Sequence, residues 1–345
     1  MTSAAAPVGY TRARSMGNVV EAVRRAGGSV ARVFRRAELP MRLVDHPDQV
    51  ILLRDQLALV EYAVAETGDE VLAPRLSLQA GFRSLGPFAD HVAAAPTLEA
   101  AIHRCNQGIG PLLQTATHMD LRIRAGVATW RYRISDTAPV GRHHNEMLAL
   151  GYMADILRHF AGHGAVPLRA VINGRAEHRW PLQALLGCDV LVGDCAALQF
   201  DVQRLALPNP AMQPSATGQT VPMPDACDLL AGVAQLMRLA LLEERPTITW
   251  MARRLGLPQR TLQRRLRDEG SSFEALREHA LMGRAAELLE SSGLSISDIA
   301  LELGYSGPAQ FTRAANRWSG LPPRAWRHKL QGRLAGAGCK EPGPA

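Results

Sequence analysis

The sequence predicts an α+β domain followed by an all-α domain, and three observations carry that prediction. Up to about Leu207 the apolar residues switch between helical and alternating periodicity. A stretch rich in Pro, Ser and Gly and almost free of charge then intervenes, LPNPAMQPSATGQTVPMPD, from Leu207 to Asp225. Beyond it every periodic segment is helical, and two segments repeat one pattern. A length of 345 residues fits two such domains. The formal charge of +7 and pI near 9.6 point to a polyanionic partner, a statement about association and not about fold.

Taken in order, Arg14 to Arg25 predicts a helix with Met16, Val19, Val20 and Val23 inside. Pro47-Asp48 opens a longer one, Gln49 to Glu66, with Val50, Leu53, Leu57, Val60 and Ala63 inward. Leu76 to Phe82 reads as a loop, and Pro96-Thr97 as the start of a helix over Leu98 to Cys105. Met119 to Ala125 and Ala128 to Ile134 alternate around Leu121, Ile123, Trp130 and Tyr132, with Gly126 near the turn, which predicts a hairpin. Further helices are expected over Glu146 to Phe160 and Trp180 to Leu186. Strands are expected at Leu168 to Ile172, Val190 to Val192 and Ala197 to Phe200. Mixed elements of this kind make an α+β or α/β domain.

The second domain opens with a helix over Ala226 to Leu242, and its centre is TITWMARRLGLPQRTLQRRLRDEG, Thr247 to Gly270. Ile248, Met251, Ala252 and Leu255 share one helical face, Thr247 stands at the cap and Gly256 where the chain leaves the helix left-handed. Leu257-Pro258 opens a second helix with Leu262 and Leu266 inward and Arg260, Gln263 and Arg264 outward. That is the pattern of a helix-turn-helix, although an ordinary hairpin with a solvated basic face would read alike. A second copy argues against the plain hairpin. Ser295, Ile296, Ile299, Ala300, Leu303, Gly304 and Tyr305 repeat the first unit, and after one extra residue Phe311, Arg313 and Ala315 answer Leu262, Arg264 and Leu266. Ser295 with Asp298, and Ser271 with Glu274, read as capping boxes. Between the copies a helix of about 20 residues, Ser271 to Ser292, would span ~30 Å, near the ~34 Å separating successive major-groove faces of B-DNA.

At this point RTLQRRLRDEGSSF, SDIALELGYS, QFTRAANRWSG and LPPRAWR resemble the DNA-binding domain of the AraC/XylS family of bacterial transcription regulators, over Ala226 to Leu330. The resemblance implies that Arg260, Gln263 and Arg264 of the first unit and Thr312 and Arg313 of the second face bases. Arg253, Arg254, Arg265, Arg267 and Arg317 are then better placed to hold phosphates or stay solvated. Pro308 and Ala309 depart from the polar residues usual in the family and cannot donate to a base edge. Ala315 replaces a common larger aromatic, so a looser second core is expected, with thymine methyl contacts through Ala309 or Thr312.

The first two-thirds resembles the arabinose-binding-like subgroup of the same family, on RLSLQAGFRSLGPFADHVAAAPTLEAAI, VPLRAVINGRAEH and LLGCDVLVGDCAALQFDVQRLALPNP. That resemblance implies an effector-binding and dimerisation domain over residues 10–207, a linker over 208–225, a double helix-turn-helix over 226–331 and a disordered tail over 332–345. It further implies a cytoplasmic homodimer whose partners are double-stranded promoter DNA, RNA polymerase and a small-molecule effector, of classes that include amino acids and lipid-like molecules, with an activating output. No cofactor, no resident metal and no catalytic residue are expected.

Sharper chemistry has weak support. His159 and His163 have metal-binding spacing but no third ligand in sequence. His143, His144 and Glu146 lack an accompanying nucleophile motif, and their expected place is the loop into the next helix. Cys188 and Cys195 could be a redox pair or simply buried thiols. The uneven spacing and odd number of cysteines, five, suit a reducing compartment. Met1 to Gly9 lacks the features of a signal peptide, and no apolar run reaches ~18 residues. Trp250 is either covered by the linker region or a partner contact, coverage being the simpler reading. A bifunctional DNA-binding enzyme and a ligand-independent architectural protein are the rival functions.

Overall fold

Tyr10–Arg12 (β1) pairs antiparallel with Val50–Leu52 (β2), and this small ribbon leads directly into the helices of an α+β unit. The computed structural model describes residues 8–135, 140–162, 164–174, 179–212, 223–225, 228–243 and 246–337. Contacts divide the chain into two compact units, Met1–Asp228 and Leu229–Ala345.

In the first unit Val19–Arg25 (α1), Val30–Arg36 (α2), Leu53–Thr67 (α3), Leu72–Ala80 (α4), Pro87–Ala93 (α5) and Leu98–Leu112 (α6) precede the main sheet. Thr117–Arg124 (β3) and Val127–Ile134 (β4) form the hairpin, Arg142–Ala161 (α7) follows, and Arg169–Ile172 (β5), Arg179–Leu186 (α8), Asp189–Val192 (β6) and Ala196–Asp201 (β7) complete the unit. The sheet runs β3-β4-β7-β5-β6 and is antiparallel except for the β5–β6 pair. Along β4 the alternation is strict: Ala128, Trp130, Tyr132 and Ile134 are buried between half-exposed neighbours. They face α7, which crosses β4, β7 and β5, while α6 packs on β3.

Several boundaries differ from the sequence reading, each for a local reason. The first expected helix breaks into a 3₁₀ turn, Ala13–Met16, and α1, because Gly17 sits at φ +62°. The first turn of the expected Gln49 helix is instead β2, since Val50 and Ile51 pair with Arg12 and Thr11. Leu76 lies inside α4 and not in a loop. Leu76 and Ser77 are fully buried there because α4 packs along α7, a neighbour that local periodicity cannot reveal. His143, His144 and Glu146 lie within α7, not before it. His144 Nδ1 is 2.6 Å from Glu61 Oε2, His143 Nδ1 meets the Asn173 carbonyl, and Arg142 donates to Glu146 at 2.9 Å. Burial pushes the Glu146 carboxyl up, and Arg142 opposes that shift.

The second unit is helical throughout its described residues: Leu229–Ala240 (α9), Ile248–Arg254 (α10), Gln259–Asp268 (α11), Phe273–Ser291 (α12), Ile296–Glu302 (α13), Pro308–Ser319 (α14) and Pro323–Ala337 (α15). Thr247 accepts the Trp250 amide, and Ser295 accepts the Asp298 amide and donates to its carboxylate. Ser272, not Ser271, caps α12, accepting the Ala275 amide at 3.1 Å. The Ser271 amide is already held by the Leu266 carbonyl. The final helix extends to Ala337, five residues past the start of the expected tail at 332, so part of that tail is helical; residues 338–345 lie outside the described set.

The α4–α7 crossing depends on a residue without a side chain. A Cβ at Gly151 would stand 1.9 Å from Ser77 Oγ and 2.7 Å from the Pro74 carbonyl oxygen. Gly151→Ala is expected to cost about 1–3 kcal/mol through overpacking, read as a lowered urea midpoint. An unchanged midpoint would mean the two helices can separate without loss.

Candidate functional site

Each helix-turn-helix unit begins with a buried apolar stripe, and the stripe decides which side chains face out. In the first, Met251, Ala252 and Leu255 of α10 and its cap meet Leu262 and Leu266 of α11, all buried. Gly256 makes the turn at φ +64°, and Thr249 Oγ1 donates to Gln259 Oε1 at 3.3 Å across it. With Leu262 and Leu266 inward, Arg260, Gln263, Arg264 and Arg267 are all exposed. Their spacing of i, i+3, i+4 and i+7 places them on one face. Four long side chains in a row, three of them cationic, suit a phosphate-lined groove.

The second unit has the same skeleton and a different surface. Phe311, Ala314 and Ala315 of α14 are buried on Ile299, Ala300 and Leu303 of the preceding helix and turn. Beside Ala315 the Tyr305 ring lies 5.9 Å from that of Phe311, an aromatic contact that supplies part of the missing bulk. Pro308 opens α14 at a position where its absent N–H had no helical partner. Arg313 is exposed, but Thr312 is half-buried and its hydroxyl donates to the Pro308 carbonyl at 2.8 Å. Gln310 is exposed in the first turn of α14. The sequence reading passed over it, although the extra turn residue it had noted moves this position outward.

Arg254 and Arg317 are placed differently from the other arginines tentatively assigned to phosphates. Arg254 is 4% exposed, and its guanidinium carbon lies 5.5 Å from the centre of the Trp250 ring. It stacks within the unit and is withdrawn from any phosphate, and it also explains the cover over Trp250. Arg317 is exposed but engaged: its Nε and Nη2 donate to Glu278 Oε1 at 2.9 and 2.7 Å, and Trp318 Nε1 donates to the same oxygen at 2.9 Å. The second DNA-facing helix is thereby tied to α12. Arg253 and Arg267 remain exposed, and Arg265 is half-buried.

In the first unit a cavity of about 50 Å³ lies between β3–β4, α6 and α7. One wall is a hydrogen-bonded polar chain. Ser15 donates to Gln56 at 2.9 Å, Gln56 to Asn145 at 2.9 Å, and Asn145 and Gln114 to the Tyr132 hydroxyl at 3.3 and 2.6 Å. Burial raises the Tyr132 pKa to about 12. Of this wall only Tyr132 figured in the sequence reading, as an alternating residue of the hairpin. The available signal was polar residues, Gln56 and Asn145, at the inward positions of amphipathic helices.

The remaining sequence candidates do not assemble into a reactive centre. His159 Nε2 donates to Asn209 Oδ1 at 3.1 Å and its ring meets Phe82 and Phe160 edge-on, while His163 lies outside the described residues. Among the described residues no cluster of three or more metal-binding side chains is found. Cys188 and Cys195 are free thiols, with burial raising Cys188 to about 11 and Cys195 above its usual value. Neither is primed as a nucleophile. No described helix is long and apolar enough to cross a membrane.

A paired helix-turn-helix unit joined by one long helix, preceded by an α+β unit, is the architecture of a DNA-binding transcription regulator. The arabinose-binding domain of AraC transcription regulators (N-terminal) matches residues 27–209, and a helix-turn-helix domain matches 251–329. The chain therefore belongs to the AraC family of transcription regulators and is itself a transcription regulator. It is similar to the HTH-type transcriptional regulator VirS of Mycobacterium tuberculosis, 26% identical over 92% of this chain and 96% of that protein. An uncharacterised HTH-type regulator of the same organism is 35% identical over 113 residues, 30% of this chain and only a third (33%) of the relative. Among solved structures, the transcriptional regulator CdpR of Pseudomonas aeruginosa is 18% identical, covering 89% of this chain and 98% of that one at a TM-score of 0.38.

Glu278 gives the interface a measurable handle. Glu278→Ala is expected to lower the contribution of α14 to DNA affinity while leaving that of α11 unchanged. The measurement compares Kd for a duplex with both half-sites and one with the second scrambled; a wild-type ratio would show that the clamp does not orient α14. Hydrogen bonds from Trp318 and Arg317 hold the Glu278 carboxyl below the usual carboxylate range. A depressed pKa means the clamp is fully present above the ordinary Glu range and is lost as pH falls through the lowered value.

Proposed function

We propose that this regulator is a transcription activator that reads promoter DNA with α11 and α14 in response to a small molecule held by its N-terminal unit. In this reading residues 10–207 bind effector and dimerise, 208–225 link, and 226–331 bind DNA. The observation that carries the DNA reading is the single exposed face of Arg260, Gln263, Arg264 and Arg267 opposite the buried Leu262–Leu266 stripe. Arg260 or Arg264 can fork onto guanine and Gln263 onto adenine, each pair contributing ~1–3 kcal/mol of discrimination.

The second unit contributes less base chemistry. Arg313 and Gln310 are exposed there, whereas Thr312 has its hydroxyl turned to its own backbone and offers a methyl group. Arg253 and Arg267 suit phosphates. Effector binding would bias the placement of two DNA-binding units in a homodimer and so the recruitment of RNA polymerase, in the cytoplasm. Among the described residues of the first unit no reactive cluster supports a catalytic role, and the curated relatives are regulators.

Two substitutions separate base contacts from phosphate contacts. Arg264→Ala is expected to relax base preference at one position of the site by about 1–3 kcal/mol, measured by selection from a randomised duplex. Arg267→Ala should weaken all sequences alike and reduce the slope of log K against log salt by about one. If Arg264→Ala weakened every sequence equally, its assignment to a base would be wrong.

A further inference from the structure

We propose that the cavity of the N-terminal unit takes an uncharged molecule with one oxygen-bearing end and a compact apolar body. This rests on the reading of that unit as the effector-binding one and narrows the chemistry of the effector. Its strongest support is a matter of charge. None of the side chains lining the cavity is a carboxylate, a guanidinium or an ammonium group. The polar wall is made of Ser15, Gln56, Gln114, Tyr132 and Asn145, all neutral hydrogen-bonding groups. A buried ion without a counter-charge is strongly disfavoured, because it exchanges water for dipoles that cannot neutralise it. A zwitterionic amino acid would need both signs opposite it, and a fatty acid would need a cation.

The charged groups nearest in sequence are occupied elsewhere. Glu146, next to Asn145, accepts from Arg142 and from the Ile134 amide. Arg12, beside the Ser15 turn, donates to the carbonyls of Leu112 and Asp48. Charge is thus gathered around the cavity's polar end but kept out of its wall.

A second, independent feature points to an oxygen-bearing ligand. Tyr152 lines the cavity at 7% exposed, and its hydroxyl makes no hydrogen bond of normal geometry. Ser84 is close enough to offset part of the burial that raises this phenol to about 12. A buried hydroxyl left without a proper partner is disfavoured; this oxygen stands beside Gly17 and Ser84, and a ligand carbonyl or amide extending to that end of the ring would supply one. The opposite walls are apolar, with Phe88, Leu148, Met153 and Ile156. At about 50 Å³ the space is smaller than the ~150 Å³ that accommodates a benzene ring. A ring-sized ligand must therefore part these walls, and the flexible Met153 and Met119 are suited to yield.

The test uses four matched probes on the full chain: cyclohexanone, cyclohexanecarboxamide, cyclohexanecarboxylate and cyclohexylammonium. Thermal unfolding of the N-terminal unit is followed as each is titrated. The ketone and the amide should raise Tm with concentration, and the two ions should bind at least tenfold more weakly. Ala149→Phe, which fills the cavity, should abolish the shift. Because that variant could fail to fold, the isosteric Tyr152→Phe is measured as well and should weaken the ketone and amide several-fold. Tight binding of an ion that Ala149→Phe abolishes would overturn the neutral-ligand inference and leave the effector site standing. No shift with any probe, or a shift unaffected by both substitutions, would overturn the cavity as an effector site together with the inference.

Discussion

A single helix can hold two DNA-facing segments at a set separation only if both are fixed to it. In this protein α12 meets that condition by different chemistry for each segment. With 19 residues it is about 28 Å long at the usual rise per residue. Its N-terminus follows α11 through a short turn in which Gly270 is left-handed, the Ser271 amide returns to Leu266 and Ser272 caps the helix. Toward the second unit it is fastened by side chains, with Glu278 gripping Arg317 and Trp318, and Arg284 reaching Glu302 at 4.0 Å. Packing against α9 and α15 holds the rod itself. An exposed ion pair alone contributes little; three donors converging on one carboxylate, with an indole among them, add direction to that modest attraction.

The two units share a core and differ in surface. In each, a short first helix capped by Thr or Ser packs on a second helix through two or three apolar residues. Outside that core, α11 carries long donors along its whole face, while α14 begins with Pro308 and Ala309 and has one threonine bonded to its own backbone. In the proposed reading, sequence discrimination is concentrated in the first unit, and the second has more to do with placement.

In the first unit polarity is handled in two ways. Polar side chains such as Arg12, Glu146 and His144 are buried but each is met by a specific acceptor or partner. The neutral amides and hydroxyls from Ser15 to Tyr132 form a continuous chain along a cavity wall instead. Keeping the two sets apart gives the unit a polar surface inside its core that carries no net charge.

How much of this could be read in advance depended on whether the signal was local. Caps at Thr247 and Ser295, the left-handed turn at Gly256 and the alternation through Trp130 are set by neighbours a few residues away, so periodicity and turn chemistry found them. The outward face of α11 followed directly, because a helix with Leu262 and Leu266 inside has only one opposite side. By contrast, β2, α4 and the break at Gly17 were misread or missed, since pairing with Arg12 and packing on α7 override local preference there. Arg254 and Arg317 look like any other surface cation in sequence; only the positions of Trp250 and Glu278 in three dimensions divert them. The cavity depends most of all on tertiary structure. Its wall gathers Ser15, Gln56, Tyr132 and Asn145 from four elements and Gln114 from the connection after α6, and no spacing along the chain records that they meet.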